Sequence, residues 1–372
     1  MRIRDFQLER YFAKYEFSVS HLLSPSDCEA WTVGELLNIG GEGEKLAKQL
    51  AELRLSYTES RGHPNLLDVL DELYDVGREG LVTGCPQELI FLFMNSFLHS
   101  GDKVVCISPA YQSLYELPRA IGCEVAFWKL RAEDGRWLLD FNELKSMLRG
   151  CRLLVVNFPH NPTGYMPGED ELAEILNIAE NAGVTIFSDE MYRGLELNSP
   201  SLPSFTEFKN TVTLCGLSKG PGLPGLRTGW LASRHHDLLL PVVAMKDYTT
   251  ICNSAPSEFL AELALRNIET LMERNRDILR TNVRLAEEFF TSRAETVEWI
   301  PTMGGTTAFP RLLVGDARDM CALAATDKSL MVLPDSVFDV SSNRFRVGMG
   351  RRNFPSALSV FGGFLGNWKN NR

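Results

Sequence analysis

Closely spaced cysteine pairs are missing from this chain: its eight cysteines (Cys28, Cys85, Cys106, Cys123, Cys151, Cys215, Cys252 and Cys321) are scattered, with no C-x-x-C. Several sit in apolar runs, where cysteine serves as a small hydrophobe, so no structural zinc or other metal and a reduced, cytoplasmic setting are expected. Long apolar runs are missing too. No stretch could cross a bilayer, and the N-terminal MRIRDFQLERYFAKYEF mixes charges with aromatics where an export signal would carry an apolar core. Lysine and arginine number 38 against 48 aspartates and glutamates, leaving a formal charge of -10 and no basic tract. Nucleic acid and anionic membrane are therefore not expected as main partners. Neither an internal repeat nor a low-complexity linker is present.

What is present is ordinary in bulk. Hydrophobic residues make up 44% and charged residues 23%, the balance of a globular enzyme, and 372 residues are too many for one core, so two domains are expected. Leu66, Leu67, Leu70, Leu73 and Tyr74 repeat at helical spacing, as do Leu172, Ile175, Leu176 and Ala179. Val104 to Ile107, Val125 to Trp128, Leu153 to Asn157, Val184 to Ser188, Thr211 to Cys215 and Gly229 to Ala232 read as short buried strands. Such alternation predicts an α/β fold, a mostly parallel sheet covered by helices on both faces. A long charged helical pattern from Ser257 to Phe290 then leads into a smaller, less regular C-terminal region.

Three motifs end three of those runs. The run Thr211 to Leu214 delivers Lys219 into CGLSKGPGLPGLRTGW, a turn dense in glycine and proline, with Arg227 eight residues on. A lysine held in a desolvated pocket can lose its proton and form a Schiff base, and an arginine one loop away suits a phosphate. Most loop lysines are plain surface groups; the company upstream sets this one apart. Leu153 to Asn157 runs into NFPHNPTG, with Asn161 just past the strand, and Val184 to Ser188 runs into Asp189-Glu190-Met191-Tyr192. Functional groups gather beyond the carboxyl ends of strands in an open parallel sheet, where all three motifs sit. Asn161 and Asp189 are 28 residues apart, and Asp189 and Lys219 are 30 apart. NPTG, D-x-x-Y and the lysine with its arginine, in this order, resemble the fold-type I pyridoxal phosphate (PLP) enzymes, and among them the class I/II aminotransferases.

That resemblance implies a large PLP-binding domain over residues 31–262 and a small α/β domain from residues 1–30 and 263–372. It implies pyridoxal 5'-phosphate held on Lys219 as an internal aldimine, the same lysine moving the substrate's α-proton. Asp189 would pair with the pyridinium nitrogen, although a strand-end aspartate can also cap a helix. Tyr192 and Asn161 would donate to the phenolic oxygen, and Tyr111 would stack on the ring. Arg227, Ser218 and the turn Gly84-Cys85 before an apolar helix would hold the phosphate. Two positions depart from the pattern. Pro86 removes an N–H from that cradle, and Gly216 stands where the family commonly has Ser or Thr. YTESRGHPNLL, from Tyr57, resembles the segment a neighbouring subunit contributes to the phosphate site, which implies a homodimer. RFRVGMG resembles the strand whose arginine binds the substrate α-carboxylate, and the apolar-arginine order puts that role on Arg346, not Arg344.

The activity implied is aminotransfer between an amino acid and a 2-oxo acid. The stretch FSVSHLLSPSDCEAWTVGEL, however, replaces the family's usual glycine-proline turn. ERYF, NFPHNP, SKGPGLPGLR, DYTT and GGTTAFPR resemble one offshoot, capreomycidine synthase and its relatives, which act on a hydroxylated arginine and close a ring without net amino transfer. Elimination, decarboxylation or cyclisation is thus the alternative, because PLP is the electron sink for all of them. Keeping both Lys219 and Asp189 points away from a catalytically dead binding protein.

Overall fold

Alternation with a period of two decides the central layer. Val104 and Cys106 pack into one core cluster and Val105 and Ile107 into another; Leu153 and Val155 divide from Leu154 and Val156 in the same way. Strands buried on both faces belong in a sheet with helices on either side. The computed structural model describes residues 2–197 and 200–370, so positions 1, 371 and 372 of the expected small domain lie outside the described residues. Its main sheet has seven strands: β1 (Leu81–Gly84), β2 (Lys103–Ser108), β3 (Glu124–Lys129), β4 (Leu153–Asn157), β5 (Thr185–Asp189), β6 (Thr211–Gly216) and β7 (Gly229–Ala232). They lie in the order β1-β7-β6-β5-β4-β2-β3. Strand β7 runs antiparallel to both neighbours, and the other pairs are parallel. The chain has the fold-type I architecture.

Three details differ from the sequence reading. Strand β5 starts at Thr185 because Val184 donates its amide to Ala179 O at 3.0 Å, closing the preceding helix over Gly183, a left-handed C-cap. At its other end the strand runs on to Asp189, which pairs with Asn157 and Leu214. Strand β1 was not expected, being four residues long at the sheet edge. The helical pattern from Ser257 to Phe290 is broken at Asn267. Its side chain donates to Leu263 O at 2.9 Å and its backbone leaves the helical region, as asparagine side chains that compete with the ladder do.

The helices include α1 (Gln7–Tyr15), α2 (Pro64–Tyr74), α3 (Pro86–Phe97), α4 (Glu169–Ala182), α5 (Ala255–Arg266) and α6 (Ile268–Thr291). Proline at the first position of α3 needs no hydrogen bond there, and Leu89, Phe93 and Met94 then bury against the sheet. Among the described residues no helix is long and apolar enough to cross a membrane.

A second, three-stranded sheet places β9 (Phe345–Gly348) antiparallel to β8 (Leu333–Pro334) on one side and to Thr307–Ala308 on the other. Residues 23–29 lie across its end as a strap: Gly348 donates to Leu23 O at 2.8 Å and Glu29 to Gly350 O at 2.9 Å. A side chain at Gly348 would overlap Pro25 O, and one at Gly350 would meet Asp27 O. Glycine allows this backbone approach. Gly348→Ala must displace the strap, an overpacking cost on the order of 1–3 kcal/mol. Urea unfolding should show that loss, and a change within ~0.5 kcal/mol, typical of surface positions, would mean that the strap yields freely.

Candidate active site

The carboxyl edge of the main sheet is aligned by register: Asn157 pairs with Asp189, and Asp189 with Leu214. A cavity of about 330 Å³ opens there, with Tyr111, Asn161, Asp189, Tyr192, Ser218, Lys219, Arg227 and Arg346 in its wall. Gly84 and Cys85 are not in that wall, and Pro86 and Gln87 are. Gly84 ends an edge strand paired to Gly229, and a side chain there would meet Leu89, so it faces the core. Tyr57 is also outside the cavity of its own chain and is 86% exposed.

Asp189 is buried at the end of β5, and one of its oxygens accepts the Met191 amide at 3.1 Å. Burial pushes its pKa up to about 6, opposed by the Met191 hydrogen bond and by Lys219. The Lys219 amine donates to Ser26 Oγ at 2.8 Å and stands 5.8 Å from the centre of the Tyr192 ring. Tyr111 packs on Phe6 at 5.0 Å and donates to Glu9 at 3.4 Å. Arg227, in a left-handed conformation, donates to Pro224 O at 3.0 Å and to Cys85 Sγ at 3.1 Å.

Arg346 is buried, with Nη2 on Ser24 O at 2.8 Å and Nη1 on Asn161 Oδ1 at 3.0 Å. Burial pushes its pKa down to about 10. With Oδ1 committed as an acceptor, the Asn161 side chain has Nδ2 left to donate. Its backbone amide is fixed by Asn157 Oδ1 at 2.9 Å. Arg344 points elsewhere, pairing with Glu298 at 2.8 Å over the Trp137 ring. The two departures at Pro86 and Gly216 are one packing feature. A side chain at Gly216 would stand 3.1 Å from Pro86 Cγ, and one at Gly229 only 2.7 Å from it, so the proline ring fills a notch left by two glycines.

The family profile described as aminotransferase class I and II matches residues 38–353. The chain belongs to that family. Among curated relatives, capreomycidine synthase of Streptomyces vinaceus is 32% identical over 275 residues, 73% of this chain and 70% of that protein. Human kynurenine–oxoglutarate transaminase 3 is 27% identical over 243 residues, 59% of this chain and 53% of its own length. A PLP-dependent aminotransferase from Streptococcus suis superimposes with a TM-score of 0.92 at 27% identity, covering 99% of both chains. The PLP-dependent cyclase OrfR gives 0.89 at 25% identity over 99% of this chain and 98% of that one.

An aminotransferase of this class carries pyridoxal 5'-phosphate as its cofactor. The cavity fits such a group on its own observations. Tyr192 Oη and Ser218 Oγ are buried without a hydrogen-bond partner, and both residues are in the wall. Orphaned hydroxyls cost free energy unless a bound group engages them, and a phenolic oxygen and a phosphate are acceptors. Among the described residues no cluster of His, Cys, Asp and Glu could hold a metal ion.

Sequence reasoning missed the side of the cavity built by the N-terminus. Glu9 and Phe12 of α1 and Glu16 at its C-cap line it at a spacing of three and then four residues, one helical face, together with Ser26, Asp27 and Arg351. The helical spacing was a usable signal, but nothing local ties it to the lysine loop. Glu16 has its pKa raised, chiefly by burial. The cation beside it, Arg351, is held by Asp27 through two bonds of 2.8 and 3.0 Å.

The Asp189 shift sets the sign of a pH effect. Its carboxyl rises from 3.8 to about 6 in the fold, so its contribution to stability is complete below pH 3.8 and is lost as pH rises through 6. At pH 7.5, above both values, the ionised, buried carboxylate costs the cofactor-free protein on the order of 3 kcal/mol. Asp189→Asn should therefore stabilise the apoprotein at pH 7.5 by about that much, with little gain at pH 4. Denaturant unfolding at both values checks it; equal effects at the two would contradict the assignment.

Proposed function

We propose that the chain is a PLP-dependent aminotransferase moving an amino group between an amino acid and a 2-oxo acid, with Lys219 as the residue that carries the cofactor. The observation behind this reading is that Lys219, the buried Asp189, two orphaned hydroxyls and the buried Arg346 share one cavity. Bound there, PLP supplies an electron sink for the charge released when a bond to the substrate α-carbon breaks. Asp189 keeps the ring nitrogen protonated, its carboxylate favouring a cation in a dry site. Tyr192 Oη and Asn161 Nδ2 would donate to the ring oxygen, and Tyr111 would lie against the ring. Ser218, Arg227 and the amide end of α3 hold the phosphate, with one N–H fewer because of Pro86. Arg346 takes the substrate α-carboxylate, and the Lys219 amine moves the proton at the α-carbon. We read residues 31–262 as the large domain and 1–30 with 263–372 as the small one.

A second reading, cyclisation or elimination on a modified amino acid, is favoured by Glu9 and Glu16. These carboxylates line the cavity while Arg351 is tied to Asp27. That flank suits a cationic side chain, the substrate type implied by the capreomycidine-synthase resemblance. One experiment separates the two. The PLP-loaded enzyme is given L-arginine, L-lysine and other amino acids singly, without a 2-oxo acid. Aminotransfer leaves pyridoxamine phosphate and one equivalent of keto acid; PLP returned unchanged beside a cyclised or shortened amino acid establishes the second reading. Borohydride should fix the cofactor to a peptide containing Lys219, and Lys219→Ala should abolish both that labelling and turnover.

The active unit is read as a homodimer in which Tyr57 reaches the partner's phosphate site. Support comes from Leu55 at 83%, Tyr57 at 86% and Tyr248 at 91% exposure. The segments that carry them are joined, since Ser60 donates to Asp247 at 2.8 Å and the buried Lys246 donates to Ser60 O at 2.6 Å. A second copy would cover these apolar side chains. Mixed dimers of Lys219→Ala and Tyr57→Phe chains should contain one site free of both lesions and outperform either parent. A fully active monomer in sedimentation would refute the proposal.

A further inference from the structure

The strap over residues 23–29 ends one of its hydrogen bonds on the amine of Lys219. Ser26 Oγ accepts from Lys219 Nζ at 2.8 Å, across 193 residues of sequence. The backbone carrying Ser26 is held on both sides. Thr306 donates to Ser26 O at 2.7 Å, Arg346 donates to Ser24 O at 2.8 Å, and Cys28 donates to the carbonyl of Lys219 itself at 3.3 Å. Asp27 is locked to Arg351, and the strap lies against Gly348 and Gly350 too closely for any side chain there. The hydroxyl is thus a fixed point, whereas a lysine amine swings on a flexible four-carbon stem.

Resting on the reading that Lys219 carries PLP, we propose that Ser26 is a positioning residue that receives the Lys219 amine whenever a substrate amine displaces it from the cofactor. A free amine can donate to Ser26 Oγ in the geometry seen here, and an amine joined to the cofactor has that nitrogen committed elsewhere. A contact made in one of two states shifts the balance between them by its own free energy. Ser26 therefore favours release of the lysine and parks its amine in the cavity, where it is needed to move the α-proton. The strap that replaces the family's glycine-proline turn would in this way act on the lysine as well as on Arg346.

Methoxyamine tests this without an identified substrate, because it has no carboxylate for Arg346. Its nitrogen forms a C=N bond to the aldehyde carbon of PLP, the bond from that carbon to Nζ breaks, and its two N–H protons pass to the lysine amine. There is no net oxidation or reduction. The concentration that displaces half of the lysine-bound absorbance is measured on PLP-loaded wild type, Ser26→Ala and Ser26→Thr. Ser26→Ala should need about tenfold more methoxyamine, the worth of one hydrogen bond, and Ser26→Thr should stay within about twofold of wild type. An unchanged or lower value in Ser26→Ala, or an equal shift in Ser26→Thr, overturns the proposal. Borohydride labelling at a lysine other than Lys219 in the wild type would instead overturn the reading beneath it, and is seen before any methoxyamine is added.

Discussion

A carboxylate buried at the end of a central strand is the constraint around which this cavity is arranged. Asp189 is set there by register, opposite Asn157 on one side and Leu214 on the other. The surrounding sheet, apolar on both faces, gives it little solvation, and its raised pKa reports that cost. A family member that kept such a group without a cationic partner would lose stability for nothing. The position makes sense when a bound ring nitrogen offsets the cost, so the price in the apoprotein and the proposed function are two sides of one burial.

The rest of the cavity is held by backbone approaches more than by side-chain pairs. The strap from Leu23 to Glu29 threads past Gly222, Gly348 and Gly350, and a side chain at any of them would meet its carbonyls. Because the strap is fixed, Ser24 O can orient Arg346, Asp27 can hold Arg351, and Ser26 can meet Lys219. Elsewhere in the wall Pro86 rests in the notch of Gly216 and Gly229. Two positions that look like losses from a phosphate cradle are therefore matched to each other. A serine or threonine at Gly216 would press on the ring that gives α3 its first turn.

Much of the fold was legible because its strands are short apolar runs and its helices repeat at helical spacing. The misreadings were local. Val184 belongs to a helix C-cap, Asn267 interrupts a helix from within, and β1 is too short and too close to the edge to stand out. Lys219, Asp189, Tyr192 and Asn161 could be singled out for the same reason as the strands, since parallel strands present whatever follows their carboxyl ends to one edge. Arg346 was singled out only through the resemblance of RFRVGMG to the family's arginine-bearing strand.

What the sequence determined alone is the α/β layering and the family, both of which rest on local patterns and motif spacing. Tertiary structure alone decided the acidic flank of Glu9 and Glu16, the strap that touches Lys219 and Arg346, and the shared notch of Pro86 with Gly216. Ser26 and Lys219 are 193 residues apart, and Ser24 and Arg346 are 322 apart. Contacts at such separations leave no periodicity in the chain; they exist only once two sheets have brought its ends to the same cavity.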